Sequence, residues 1–192
     1  MRAAPAALVA SVVLLTGCAR PVEPERTQGG PPPCSMRAGD RFGSAVLVAQ
    51  AVPSATLLPC IKTLPAGWST QSLQARNGRA YFGLDSDRDG VGAVDVTLTR
   101  TCDVRDATEV PSERTGARRF ERVTRVTPGY VGDRYYTFEG GCVTYHFNLR
   151  GTTRGEPLAG VAQGVGFVSR DTVRQLVSAA SDGRLSLDPV AE

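Results

Sequence analysis

Two segments in which apolar and polar residues strictly alternate constrain the fold of this chain more than any other feature. From Val91 to Thr99, Val94, Val96 and Leu98 fall on one side, with Asp95, Thr97 and Thr99 on the other. From Cys142 to Leu149, Val143, Tyr145, Phe147 and Leu149 oppose Thr144, His146 and Asn148. A period of two sends successive side chains to opposite faces of a strand, so each segment reads as a half-buried antiparallel strand with its apolar set toward the core. Tyr81 to Leu84 leads into the first across a turn at Asp85 to Gly90. Arg119 to Thr127 and Arg134 to Phe138 lead into the second, the latter across Gly140-Gly141.

Helices are expected at both flanks of this β region. Pro53, Pro59 and Pro65 recur at six-residue intervals, which permits one or two helical turns between breaks and no long helix. The spacing predicts a helix from Ser44 to Ala51 and another around Pro53 to Leu64, packed on the sheet through Val46, Leu47, Leu57, Leu58, Ile61 and Leu64. Trp68, the sole Trp, reads as a lid on the core in preference to a ligand platform. Near the C-terminus, Ser169 suits an N-cap and Asp171 the first turn. Val173, Leu176, Val177 and Ala180 form a helical stripe, and Gly183 suits the stop. Strands in the middle with helices at the ends predict an α+β fold: one antiparallel sheet of about five strands with short helices mainly on one face.

The first eighteen residues speak to location. Met1-Arg2 is followed by an apolar run from Ala3 to Leu15, too short to span a bilayer and suited to a secretory signal, and then by Leu15-Thr16-Gly17-Cys18. This tetrapeptide resembles the lipobox of bacterial lipoproteins. The resemblance implies a signal peptide over 1–17, cleavage before Cys18, and acylation of Cys18 as the first mature residue. Two or three acyl chains on one residue give a stable membrane anchor. The resemblance covers residues 1–18 only. An excess of 21 Arg over one Lys suits a GC-rich genome and, with the lipobox, an actinobacterial source. Residues 18–33, which include Pro21, Pro24, Gly29, Gly30 and Pro31-Pro32-Pro33, read as a tether, leaving 34–192 as a single exported domain.

With Cys18 lipidated, Cys34, Cys60, Cys102 and Cys142 remain, an even number in a chain sent to an oxidising compartment. Four cysteines allow three connectivities. The pairing Cys34 to Cys60 and Cys102 to Cys142 is preferred because each bridge then ties neighbouring elements. None of the four forms C-x-x-C, so a metal or thiol-catalytic role is disfavoured.

The chain supplies little material for catalysis. Lysine and histidine each occur once, as Lys62 and His146, and 22 basic residues nearly balance 19 acidic ones, which argues against holding nucleic acid by bulk charge. Asp85, Asp87 and Asp89 match the opening of a calcium loop, but Val96 stands where a closing Glu belongs, and an Asp-rich hairpin turn explains them as well. His146 lacks a nucleophile among its strand neighbours Thr144 and Asn148, and no hydrolase motif is present. The run Gly160 to Gly166 lacks the Lys of a phosphate loop and reads as a tight loop or close packing. A basic and aromatic stretch, Arg118, Arg122, Arg125, Tyr130, Arg134 and Tyr135, is the candidate binding surface for an anionic or sugar-containing envelope polymer. Strict alternation would put Arg118 and Arg122 opposite Arg119 and Arg125.

These observations predict a lipid-anchored protein on the extracytoplasmic side of the cell membrane. Its domain is expected to be a non-catalytic module that binds a ligand, envelope polymer or envelope protein, without cofactor, metal or nucleic acid. A hydrolase using His146 or carboxylates and a structural spacer are the alternatives.

Overall fold

The alternating segments pair as their patterns require. A computed structural model describes residues 29–37, 40, 42–151 and 155–189, so the expected signal peptide, Cys18 and residues 19–28 of the tether lie outside the described residues. The described chain runs α1 (Gly43–Ala51), β1 (Leu57–Ile61), β2 (Trp68–Thr70), β3 (Gln74–Arg76), β4 (Arg79–Ser86), β5 (Gly90–Thr99), β6 (Thr108–Val110), β7 (Arg118–Arg125), β8 (Tyr130–Phe138), β9 (Gly141–Leu149), α2 (Gly155–Gly164), β10 (Val165–Ser169) and α3 (Arg170–Ala180). An eight-stranded sheet has the order β2-β4-β5-β9-β8-β7-β6, with β3 also on β4, and β1 and β10 form a separate antiparallel ribbon. All pairings within the large sheet are antiparallel.

The class is therefore α+β as expected, but the sheet holds eight strands rather than about five. The three missed strands, β2, β3 and β6, are three residues each, too short for alternation to register. The helix expected around Pro53 to Leu64 is instead β1, in which Pro59 sits opposite Phe167. A two-stranded ribbon tolerates a residue without an N–H where a central strand would not. The Gly160 to Gly166 run spans the end of α2 and the start of β10. Its glycines serve close packing: a Cβ on Gly166 would lie 2.8 Å from the Cys34 sulfur, and one on Gly164 would lie 3.0 Å from the Thr63 carbonyl.

One face of the large sheet builds the core. Phe82, Val96 and Tyr145 follow one another across β4, β5 and β9, flanked by the rows Ala80, Leu98, Val143, Tyr136 and Leu84, Val94, Phe147, all buried. Helix α1 buries Ala45, Val48, Ala49 and Ala51 in this core, as the ribbon does with Leu58, Cys60, Val165 and Val168. Helix α3 packs on α1 and β10 through Val173 and Val177, while Ala180 of the expected stripe is exposed. Ser169 caps α3, its hydroxyl accepting from the Thr172 N–H at 3.0 Å. Trp68 is half-buried against the core edge.

Both disulfides join the expected partners. Cys34 bonds Cys60 on the ribbon, and Cys102 bonds Cys142 on the large sheet. The second bridge lies on the opposite, outer face, where it draws Cys102, Val104 and Ala107 over Phe120 and Tyr135 into a small second core. The sheet and the α1–β1 loop are locked together at the β8–β9 turn. Ser54 Oγ donates to the Gly140 carbonyl at 2.6 Å, and Thr56 donates to the Glu139 carbonyl through both its N–H, at 3.2 Å, and its hydroxyl, at 2.8 Å.

Candidate functional site

Polar side chains of the central strands gather on the outer face. Register places Arg122, Asp133, His146 and Asp95 side by side across β7, β8, β9 and β5, with Phe120, Tyr135, Thr144, Thr97 and Tyr81 forming the next row. Asp133 is the hub. Its Oδ1 lies 2.7 Å from His146 Nδ1, while Oδ2 accepts from Arg122 at 2.8 Å and from the Tyr135 hydroxyl at 3.1 Å. Burial pushes the Asp133 carboxyl up, but the hydrogen bonds from His146, Arg122 and Tyr135 outweigh it and hold the group below the usual carboxylate range. Burial, followed by the neighbouring Asp133 charge, pushes the Tyr135 phenol up to about 12. Tyr81 donates to Asp95 at 2.8 Å and is also pushed up to about 12, by burial first and then by that bond. The His146 side chain is 47% exposed on this open face. Its strand neighbour Thr144 faces the Cys102 sulfur at 3.2 Å.

The expected Arg and Tyr surface divides between the two faces of the sheet. Arg118, Arg122 and Tyr135 lie on the outer face; Arg134 and Tyr130 lie on the inner one, where Arg134 sits over the Phe147 ring and Tyr130 packs edge-on against it. Arg125 is where strict alternation fails. The register shifts between Val123 and Arg125, so Arg125 pairs with Val131 and joins Arg118 and Arg122 rather than opposing them. An inserted residue at a bulge reverses strand parity in this way. Most of the cations in this region are neutralised: Arg118 by Glu109, Arg119 by Glu113, Arg122 by Asp133 and Arg134 by Glu121, at 2.7 to 2.8 Å.

Two of the three Asp residues of the calcium-like loop are engaged separately. Asp85 Oδ1 accepts from Gln71 at 2.7 Å and from the Gly92 N–H at 2.8 Å, and buried Asp89 accepts from the Gly151 N–H at 2.7 Å. Among the described residues no group of three or more His, Cys, Asp or Glu side chains is arranged to hold a metal ion. Likewise, no helix among them is long and apolar enough to cross a membrane.

A cleft of about 490 Å³ opens beside this loop. One wall is the turn Pro65, Ala66, Gly67 and Trp68; another is Ser86 to Asp89; the third is one side of α2, with Glu156, Pro157 and Gln163. Arg88 and Glu156 pair at 2.8 Å between the last two walls, both side chains about two-thirds exposed. The combination of an aromatic and proline surface with a few polar groups is typical of small-molecule sites. Sequence reasoning missed it, because its walls come from three segments separated by tens of residues; the solitary Trp after a Pro-Ala-Gly turn was the one local signal. No protein-family model matches the chain, and neither a curated protein nor a solved structure matches it.

Proposed function

We propose that this chain is a lipid-anchored protein of the extracytoplasmic membrane surface whose folded domain is a non-catalytic module binding a small ligand from the envelope. The anchor rests on the lipobox-like Leu15-Thr16-Gly17-Cys18. The binding role rests on the Trp68 cleft, where apolar and polar groups converge in a volume of about 490 Å³ that suits a small molecule. Because Trp68 is the sole Trp, intrinsic fluorescence reports on that cleft without labelling. Titration with soluble envelope fragments is expected to change the emission saturably; a flat response to sugars, amines and short peptides defeats the binding role. Intact mass of the membrane fraction is expected to show acylated Cys18 at the N-terminus, and an unmodified Met1 there defeats the anchor.

One observation favours a hydrolase as the second reading: Asp133 holds the His146 imidazole at 2.7 Å, an orientation that a general base would use. Ester or cell-wall hydrolysis by the purified protein, lost in His146→Ala with the fold intact, decides for that reading.

A further inference from the structure

We infer that the Trp68 cleft receives the ammonium group of a small organic cation, an assignment that rests on the binding role above and adds the chemistry of the ligand. Most charged groups in the cleft are already engaged. Glu156 is paired with Arg88 at 2.8 Å, and Asp89 accepts from the Gly151 N–H at 2.7 Å and from Ser86 Oγ at 3.3 Å. Asp87 differs: its carboxylate has neither an ion pair nor a hydrogen bond among the described residues, and it is exposed in the cleft wall. The cleft-lining groups left for recognition are therefore the Asp87 carboxylate, the Gln163 amide and the part of Trp68 that is not buried against the core.

Backbone pairing brings the chain segments that carry Trp68 and Asp87 together at the cleft. Trp68 pairs with Ser86, the residue before Asp87, and the Asp87 N–H donates to the Gly67 carbonyl at 2.9 Å. Gly67 has φ +79°, and a Cβ there would come within 3.1 Å of the Asp87 carboxylate, so only glycine suits both the turn and the close approach. An indole face attracts a cation through its quadrupole, and a carboxylate lining the same cleft supplies the full opposite charge. Three carboxylates against one guanidinium line the cleft, so an anion would be repelled. A neutral ligand would cover Asp87 without neutralising it.

The test is Trp68 fluorescence on the folded protein with choline and tetramethylammonium as probes. The comparison probes are 3,3-dimethylbutan-1-ol, the neutral isostere of choline, together with acetate and N-acetylglucosamine. Both cations are expected to change the emission saturably, with the neutral alcohol at least about tenfold weaker. Asp87→Asn should weaken choline binding by about tenfold at an unchanged melting temperature, and added salt should weaken it in the wild type. Equal affinity for choline and its isostere, or for wild type and Asp87→Asn, overturns the assignment. A saturable response to N-acetylglucosamine with none to the cations also overturns it while leaving the binding role standing. Silence toward every probe counts against both.

Discussion

Replacing Gly140 by Ala tests whether the β8–β9 turn clamps the sheet to the α1–β1 loop. Gly140 has φ +69°, and a Cβ built there would sit 1.8 Å from the Ser54 carbonyl oxygen, a backbone atom that no rotamer change can move. The left-handed backbone alone costs an L-residue about 1–2 kcal/mol. Relieving the overlap also requires the turn to withdraw, which breaks the bonds from Ser54 and Thr56 to the Gly140 and Glu139 carbonyls. Three such bonds at about 1 kcal/mol each raise the expected loss to about 4–5 kcal/mol. Gly116 is the control: its φ is +77° but nothing lies within 4 Å of its Cβ position, so Gly116→Ala should lose only the backbone part. The unfolded-state effect of Gly→Ala is common to both and cancels in the comparison. Urea unfolding at constant m-value should separate the two variants by about 3 kcal/mol, or about 6–12 °C in melting temperature for a domain of this size. Equal losses in the two variants would refute the clamp.

The disulfides should contribute through the unfolded chain. For closures spanning 26 and 40 residues, the chain-entropy model predicts losses of about 3.5 kcal/mol for Cys34→Ser/Cys60→Ser and about 4 kcal/mol for Cys102→Ser/Cys142→Ser. The second variant should also become sensitive to proteolysis between Arg100 and Thr108, and a loss below about 1 kcal/mol would contradict the estimate. Asp133, whose carboxyl is held low in the fold, stabilises the protein above the unfolded carboxylate pKa of about 4. That stability is lost as pH falls through the lower folded value, so the melting temperature of Asp133→Asn should fall less steeply below pH 4 than that of the wild type. Parallel acid limbs for the two proteins would show that the network around Asp133 adds nothing to folding.

Strands β5 and β9 are legible because a period of two is written into neighbouring residues, and burial of one face follows whatever packs on it. Helix α3 is legible for the same local reason: its cap Ser169, its stripe and its stop lie within fifteen residues. The disulfide partners follow from adjacency of elements once the cysteines are counted, and the expected anchor at Cys18 depends on sequence alone. Tertiary structure decided the rest. Leu57 to Ile61 carries no periodic signal that separates strand from helix, and it became β1 because β10, more than a hundred residues later, offered it a partner. Arg125 changed faces because β8 accommodated an extra residue on β7, a choice that belongs to the pair of strands and not to either one. The cleft exists because β2, the β4–β5 turn and α2 meet, bringing Trp68, Asp87 and Glu156 together. Such convergence is set by how the layers pack, and packing depends on contacts between residues that no local pattern relates.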